Sequence, residues 1–134
     1  MEERLSSLAY FDRLTETFNK ERISLEFYSL TCVKNKENIA FFLINIDDFG
    51  YINNTIGYTQ GNELLRKFAT FLKFRYGDDY VSRINEDEFL ILYPYKNIQS
   101  IEEEISDLFY EVNFQNFIDI HNIFIFISVG IFLY

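Results

Sequence analysis

The chain has 134 residues, 49% hydrophobic and 25% charged, which is the composition of one globular domain and excludes a disordered tail. With 21 acidic against 12 basic residues its formal net charge is −9, which repels phosphate backbones and anionic lipid and excludes a nucleic-acid polymer or membrane surface as partner. The lone Cys32 permits no internal disulfide and Met-Glu-Glu-Arg is no signal peptide, so a cytoplasmic domain is expected, with a membrane anchor left open for the parent protein.

Residues 1–12 carry Leu5, Leu8, Ala9 and Phe11 and read as the end of a linker helix, leaving 13–134 as a single domain. Asp12 and Asn19 are each placed to cap a helix on their C-terminal side. Ile23, Leu25, Phe27, Tyr28 and Leu30 predict a helix of roughly five turns ending near Lys34, followed by a polar loop over 34–38. The run Ile39 to Ile46 is almost continuously apolar, as expected of a central strand covered on both faces. Asp47 and Asp48 start a short helix reaching about Ile56, and Gly57 breaks it. A second helix shows Leu64, Leu65, Phe68, Phe71 and Leu72 on one face.

Residues 80–84 and 89–93 then read as two strands around the polar tip Asn85-Glu86-Asp87-Glu88, with Pro94 ending the second. The next helix is expected to turn Ile98, Ile101, Ile105, Leu108 and Phe109 inward and Glu102, Glu103 and Glu104 to solvent, and residues 113–134 are β-rich. The apolar stretch from Ile123 is about half the roughly 20 residues a membrane helix needs, so no direct membrane insertion is expected. Helices interleaved with a mixed sheet make the fold class α+β, closest to a split-βαβ, ferredoxin-like core with helices packed on the sheet's faces.

Asn45 and Asp47 leave the same face at the end of the first strand, and the hairpin tip carries Glu86, Asp87 and Glu88. If that strand lies beside the hairpin, oxygen ligands converge in a way that suits Mg²⁺, which binds through one or two carboxylates plus substrate phosphates. On spacing alone the plainer alternative stays open: Asp47 caps a helix and the tip is a solvated turn. His121, the single histidine, sits in an expected turn, and Cys32 reads as a packed helical thiol. No Gly-rich phosphate loop, Ser-His-Asp set or zinc spacing is present.

Five motifs in order resemble the GGDEF domain, the family of diguanylate cyclases. Phe11-Asp12-Arg13-Leu14-Thr15 with Phe18-Asn19-Lys20 resembles D-x-L-T-x-x-x-N-R. Asn45-Ile46-Asp47-Asp48-Phe49-Gly50-Tyr51-Ile52-Asn53-Asn54-Thr55-Ile56-Gly57-Tyr58 resembles D-x-D-x-F-K-x-I-N-D-x-x-G-H, and Gly61-Asn62-Glu63-Leu64-Leu65 resembles G-D-x-x-L. Arg83-Ile84-Asn85-Glu86-Asp87-Glu88-Phe89 stands where the family has R-Y-G-G-D-E-F, and Ile127-Ser128-Val129-Gly130-Ile131 matches its S-I-G strand. The resemblance implies a nucleotide-cyclase-type sheet, and a reaction joining two GTP, one per domain of an antiparallel homodimer, into cyclic di-GMP.

Carried over position by position, the implied site is damaged. The metal ligands become Asn45, where the family has Asp, the Ile46 carbonyl and Asp87; Asp87 and Glu88 are the vestigial catalytic carboxylates. Phe49, Asn53, Asn62 and Arg83 are the vestigial nucleotide-binding positions, with Asn62 replacing a guanine-reading Asp and Gly50 a phosphate-contacting Lys. An amide presents a donor where a carboxylate accepted twice. Asn85 and Glu86 replace two glycines that let a nucleotide approach the backbone. The family's last helix, with its A-K-x-x-G-R-N-like cations, does not appear before Tyr134. In the inhibitory R-x-x-D site Asp79 fits, but Tyr76 holds the Arg position and Arg75 falls one residue early.

The expectation is a catalytically inactive GGDEF domain serving as a regulatory, dimerisation or interaction module in cyclic di-GMP-type signalling. Its partners would be a second copy or an attached signalling domain, with GTP weak or none and no cofactor, Mg²⁺ entering only if the domain turns over. The alternatives are a weak diguanylate cyclase and a non-catalytic guanine-nucleotide sensor.

Overall fold

Residues 9–115, 117 and 124–134 are described by a computed structural model; Leu5, Leu8 and His121 lie outside the described residues. Asn19 opens helix α1 (Lys20–Tyr28), its side-chain oxygen accepting from the Arg22 N–H that would otherwise lack a partner. The expected five-turn helix is interrupted: Ser29–Val33 forms a π-helical turn, where the Thr31 hydroxyl donates to the Phe27 carbonyl and competes with the helical ladder. Cys32, on this turn, is exposed rather than packed.

Strand β1 (Ile39–Ile46) leads into α2 (Phe49–Ile56) and α3 (Tyr58–Tyr76), separated by Gly57 at φ +87°, a conformation that costs glycine little. Then come β2 (Val81–Asn85), β3 (Glu88–Pro94), α4 (Ile98–Phe114) and β4 (Ile127–Leu133). The sheet order is β2–β3–β1–β4, the order of a split βαβ fold. Each helical crossover skips one strand, so parallel strands never become neighbours. The sheet expected to be mixed is therefore antiparallel at each pairing of its four strands, with one isolated parallel bridge from Phe18 to Ser82 of β2.

β1 is covered on both faces, which is why it reads as an unbroken apolar run. Ala40, Phe42, Ile44 and Ile46 face Leu64, Leu65, Phe68 and Leu72 of α3 and Ile101 and Leu108 of α4. Ile39 and Phe41 lie on the other side with Ile23, Phe27 and Leu30 of the α1 segment and Leu92 of β3. Each fully buried side chain of this kind contributes roughly 1.5–3 kcal/mol by leaving water. The inward seam of α4 is Ile101, Leu108 and Val112, with Ile105 partly buried. Ile98 and Phe109, expected inward, are exposed: Ile98 sits in the first turn, and Phe109 is about 100° round the helix from Leu108. α4 also runs into the stretch expected to be β-rich. Among the described residues, no helix is long and apolar enough to cross a membrane.

Candidate functional site

The end of β1 is where the sequence-predicted residues meet. Its register sets Asn45 opposite Glu88 of β3 on one side and Ser128 of β4 on the other, so the three share one face of the sheet. The Ile46 N–H donates to the Asp87 carbonyl at 3.1 Å, bringing those two backbones together. In extended backbone the N–H and C=O of one residue leave toward the same neighbouring strand, so the Ile46 carbonyl also faces the hairpin.

Asp47 ties strands together instead of capping a helix. Its Oδ1 accepts from the Ser128 hydroxyl at 2.7 Å, and its N–H donates to the Phe126 carbonyl at 2.8 Å, joining β1 to β4. Asp48, the residue preceding α2, makes no side-chain cap either. Asn45 Oδ1 is buried and has no hydrogen-bond partner among the described residues. An unpaired buried acceptor is costly, of order 1–3 kcal/mol, and such atoms mark sites that want a donor or a cation.

The β2–β3 tip is clamped rather than open. Arg83 donates from Nε and Nη2 to the Glu86 carbonyl at 2.9 and 2.6 Å, and from Nη1 to Asp12 at 3.1 and 3.3 Å. Asp12 also accepts from the Thr15 N–H at 2.9 Å and its hydroxyl at 2.7 Å, so it organises a turn and an ion pair instead of capping a helix. Burial alone would raise the Asp12 pKa, but the Thr15 hydrogen bonds and the Arg83 charge outweigh it and hold the carboxyl below its ordinary value. At the tip, Asn85 donates to Glu88 at 3.2 Å, while Glu86 is exposed and Asp87 half-buried.

Of the remaining expected positions, Phe49 is buried in the core. Asn53 is buried on α2, and its Oδ1 too lacks a partner among the described residues. A Cβ at Gly61 of α3 would stand 1.8 Å from that oxygen, so any side chain there would push the Asn53 amide aside. Asn62, next to this contact, is exposed. The fold therefore brings Asn45, Ile46, Asp87 and Glu88 together at the sheet end, and sets Asn53 against Gly61, the residue before Asn62, where α2 meets α3. Asp12, Thr15 and Ser128 were not singled out as site residues, though the D-x-x-T and S-V-G stretches carrying them were.

Among the described residues, no group of three or more His, Cys, Asp or Glu side chains could hold a metal. The expected donor set offers one carboxylate, Asp87, with an amide oxygen and a main-chain carbonyl. That fits Mg²⁺ only as an ion shared with bound phosphates, not one held by the protein alone.

At the α3–α4 contact, Arg75 grips Glu104 with two bonds, Nε–Oε2 at 2.7 Å and Nη2–Oε1 at 2.9 Å, and the Tyr76 hydroxyl donates to Oε2 at 2.5 Å. Glu104 is thus no solvated helix-face residue, and Arg75 is committed away from Asp79.

The profile described as "Diguanylate cyclase, GGDEF domain" matches residues 9–134. The chain is similar to the probable diguanylate cyclase DgcE of Escherichia coli, 29% identical over 118 residues, covering 86% of the chain and 11% of that protein. It is also similar to the signaling protein YkoW of Bacillus subtilis, 27% identical over 110 residues, covering 78% and 13%. The chain thus spans roughly a tenth of these curated relatives. Among solved structures, the coiled coil and GGDEF domain of DgcB from Caulobacter crescentus, in complex with c-di-GMP, superposes with a TM-score of 0.81 at 19% identity, covering 97% of this chain and 72% of that one. The GGDEF domain of FimX from Pseudomonas aeruginosa gives 0.76 at 16%, covering 91% and 78%. These two likenesses are of fold.

Proposed function

The chain belongs to the GGDEF family of diguanylate cyclase domains, and from that premise we propose that it is a catalytically inactive member serving as a regulatory or dimerisation module in cyclic di-GMP-type signalling. Residues 13–134 would form one cytoplasmic domain of a longer protein, with 1–12 as the end of a linker helix. Its partner would be a second copy or an attached signalling domain.

One observation carries the reading: an amide, Asn45, occupies the face shared with Glu88 and Ser128, leaving Asp87 as the one carboxylate in the expected ligand set. A neutral amide stabilises a divalent cation far less than a carboxylate does. Gly50 offers a phosphate no cation, and exposed Glu86 puts a negative charge beside the place a triphosphate must take. Mg²⁺, shared with phosphates by Asp87, the Ile46 carbonyl and Asn45, would supply charge neutralisation, and this donor set holds it weakly. Losing one such electrostatic element typically costs about a hundred- to a thousandfold in rate, and several losses compound.

The protein incubated with GTP and Mg²⁺ or Mn²⁺ should yield no cyclic di-GMP above a protein-free blank by mass spectrometry. Protein-dependent product would overturn the proposal in favour of a weak cyclase. The guanine-nucleotide sensor is supported by Asn53, whose buried Oδ1 awaits a donor beside Gly61 and Asn62. Calorimetry should find GTP affinity no better than about millimolar, roughly −4 kcal/mol; a micromolar site would make the sensor the better reading.

A further inference from the structure

A cavity of about 440 Å³ opens between α3 and the residues Gln115 and Phe117, well within the size range of small-molecule sites. Its floor is aromatic and firm. Phe117 is buried, and its ring meets Phe71 at 5.6 Å and Phe68 at 5.4 Å, both edge to face. Its rim carries Phe74, a large apolar ring that is 95% exposed. Among the described residues the polar lining is cationic or neutral, with Arg66 and Lys67 followed by Thr70 and Gln115.

Among the described residues, the Arg66 pair is also the most exposed of the arginine–carboxylate pairs. Arg22, Arg75 and Arg83 bind carboxylates whose side chains are only 15%, 15% and 21% exposed. Arg66 meets Glu63 one turn away on its own helix, as Arg22 meets Glu26, but here both side chains stay open to solvent, 49% and 46% exposed. An exposed pair of that kind is worth little and exchanges readily for a better-placed anion.

We propose that this cavity binds a small organic monoanion with a flat aromatic body. The ring stacks between Phe74 and the Phe71–Phe117 floor, and the carboxylate or sulfonate meets the Arg66 guanidinium. A single negative charge suits the site, since a polyanion would feel the net charge of −9 across the rest of the chain. Binding here is independent of whether the domain turns over GTP.

The test titrates 1-naphthoate, and separately its cationic counterpart 1-naphthylmethylamine, into ¹⁵N-labelled protein. Naphthoate should shift the Thr70, Phe74 and Gln115 amides saturably, with the amine at least about tenfold weaker. Arg66→Gln should weaken naphthoate about tenfold, the size of a lost hydrogen bond to a charged group. Phe74→Ala, at a side chain almost wholly in solvent, should leave the fold intact and weaken binding severalfold. No saturable binding, equal affinity for the two ligands, shifts centred elsewhere, or affinity indifferent to both substitutions would each overturn the assignment. Displacement of naphthoate by GTP would do so too, since the site would then be a nucleotide's.

Discussion

Arg83 and Arg75 lie in or beside stretches that resemble ligand-binding motifs, and each is occupied by a carboxylate of its own chain. They are occupied in different ways. Arg83 joins Asp12, 71 residues away, to the Glu86 carbonyl at the hairpin tip, and the clamp depends on a carboxyl held ionised by Thr15 and Arg83. Arg75 joins α3 to α4 through Glu104, and this staple also depends on a neutral phenol: burial and the bond to Glu104 push the Tyr76 pKa well above its ordinary value. The first contact therefore weakens in acid and the second in alkali. A sequence can keep a motif's arginine while spending it on scaffolding, and charge partners decide which has happened.

Removing Glu104 should have the largest effect. Its side chain is 15% exposed and Arg75's 19%, so Glu104→Ala leaves a mostly buried guanidinium and the Tyr76 hydroxyl without their acceptor. The expected loss is about 3 kcal/mol, on the order of 10 °C in Tm, by urea and thermal unfolding. A loss below about 1 kcal/mol would mean the staple is an ordinary surface pair and the contrast with the hairpin clamp has no energetic content.

The fold was largely legible because it is written in apolar periodicity. β1 occupies the residues that its unbroken run marked, and Gly57 and Pro94 fall at the expected breaks. Less legible were contacts between polar side chains distant in sequence. Glu104 sits among Glu102 and Glu103 in a run that reads as a solvated helix face, and only the packing of α4 beside α3 reveals its partner. Asp12 carries a capping residue's signature, and its bond to Arg83 across 71 residues leaves no local trace. The candidate site was legible as positions in a motif. Only the fold reveals the burial of Phe49, the orphaned oxygens of Asn45 and Asn53, and the diversion of Asp47 to Ser128.

Asp12→Asn tests the other side of the comparison and should cost about 1.5–2 kcal/mol near pH 6 by urea unfolding. Because the folded pKa is lowered, the charge contributes stability above the unfolded value of about 3.9 and loses it as pH falls through the folded value. The gap between wild type and variant should therefore close below about pH 4. A gap independent of pH would show that shape, not charge, holds Arg83. Tyr76→Phe is the alkaline counterpart and should cost about 1 kcal/mol at neutral pH. The raised tyrosine pKa contributes stability that is fully present below about pH 10 and is lost as pH rises toward the folded value. The variant should consequently lose less stability than wild type above that pH. Parallel pH curves would remove Tyr76 from the staple.

The smallest effect is expected at Asn45, which asks whether the clamped hairpin end can still become a ligand site. Asn45→Asp adds a carboxylate to a face shared with Glu88, close to Asp47 and Asp87, with its neighbouring oxygen already buried. Like charges at that spacing and partial desolvation both oppose ionisation, so the metal-free variant should lose about 1 kcal/mol or less, a few degrees in Tm. The same change supplies the second hard oxygen ligand beside Asp87 and the Ile46 carbonyl. If Mg²⁺ then binds the folded form at about tenfold below its concentration, it should return roughly 1.4 kcal/mol, reversing the sign of the mutation's effect. Wild type should be indifferent to the same addition. Cyclic di-GMP should still not form, because Asn45→Asp restores neither a cation at Gly50 nor an open tip at Asn85 and Glu86. A variant blind to Mg²⁺ would mean that the alignment of Ile46 with Asp87 does not bring their ligand atoms together. A variant that makes product would mean that the clamp on Arg83 and the charge of Glu86 are compatible with catalysis, and the proposed inactivity would rest on Asn45 alone.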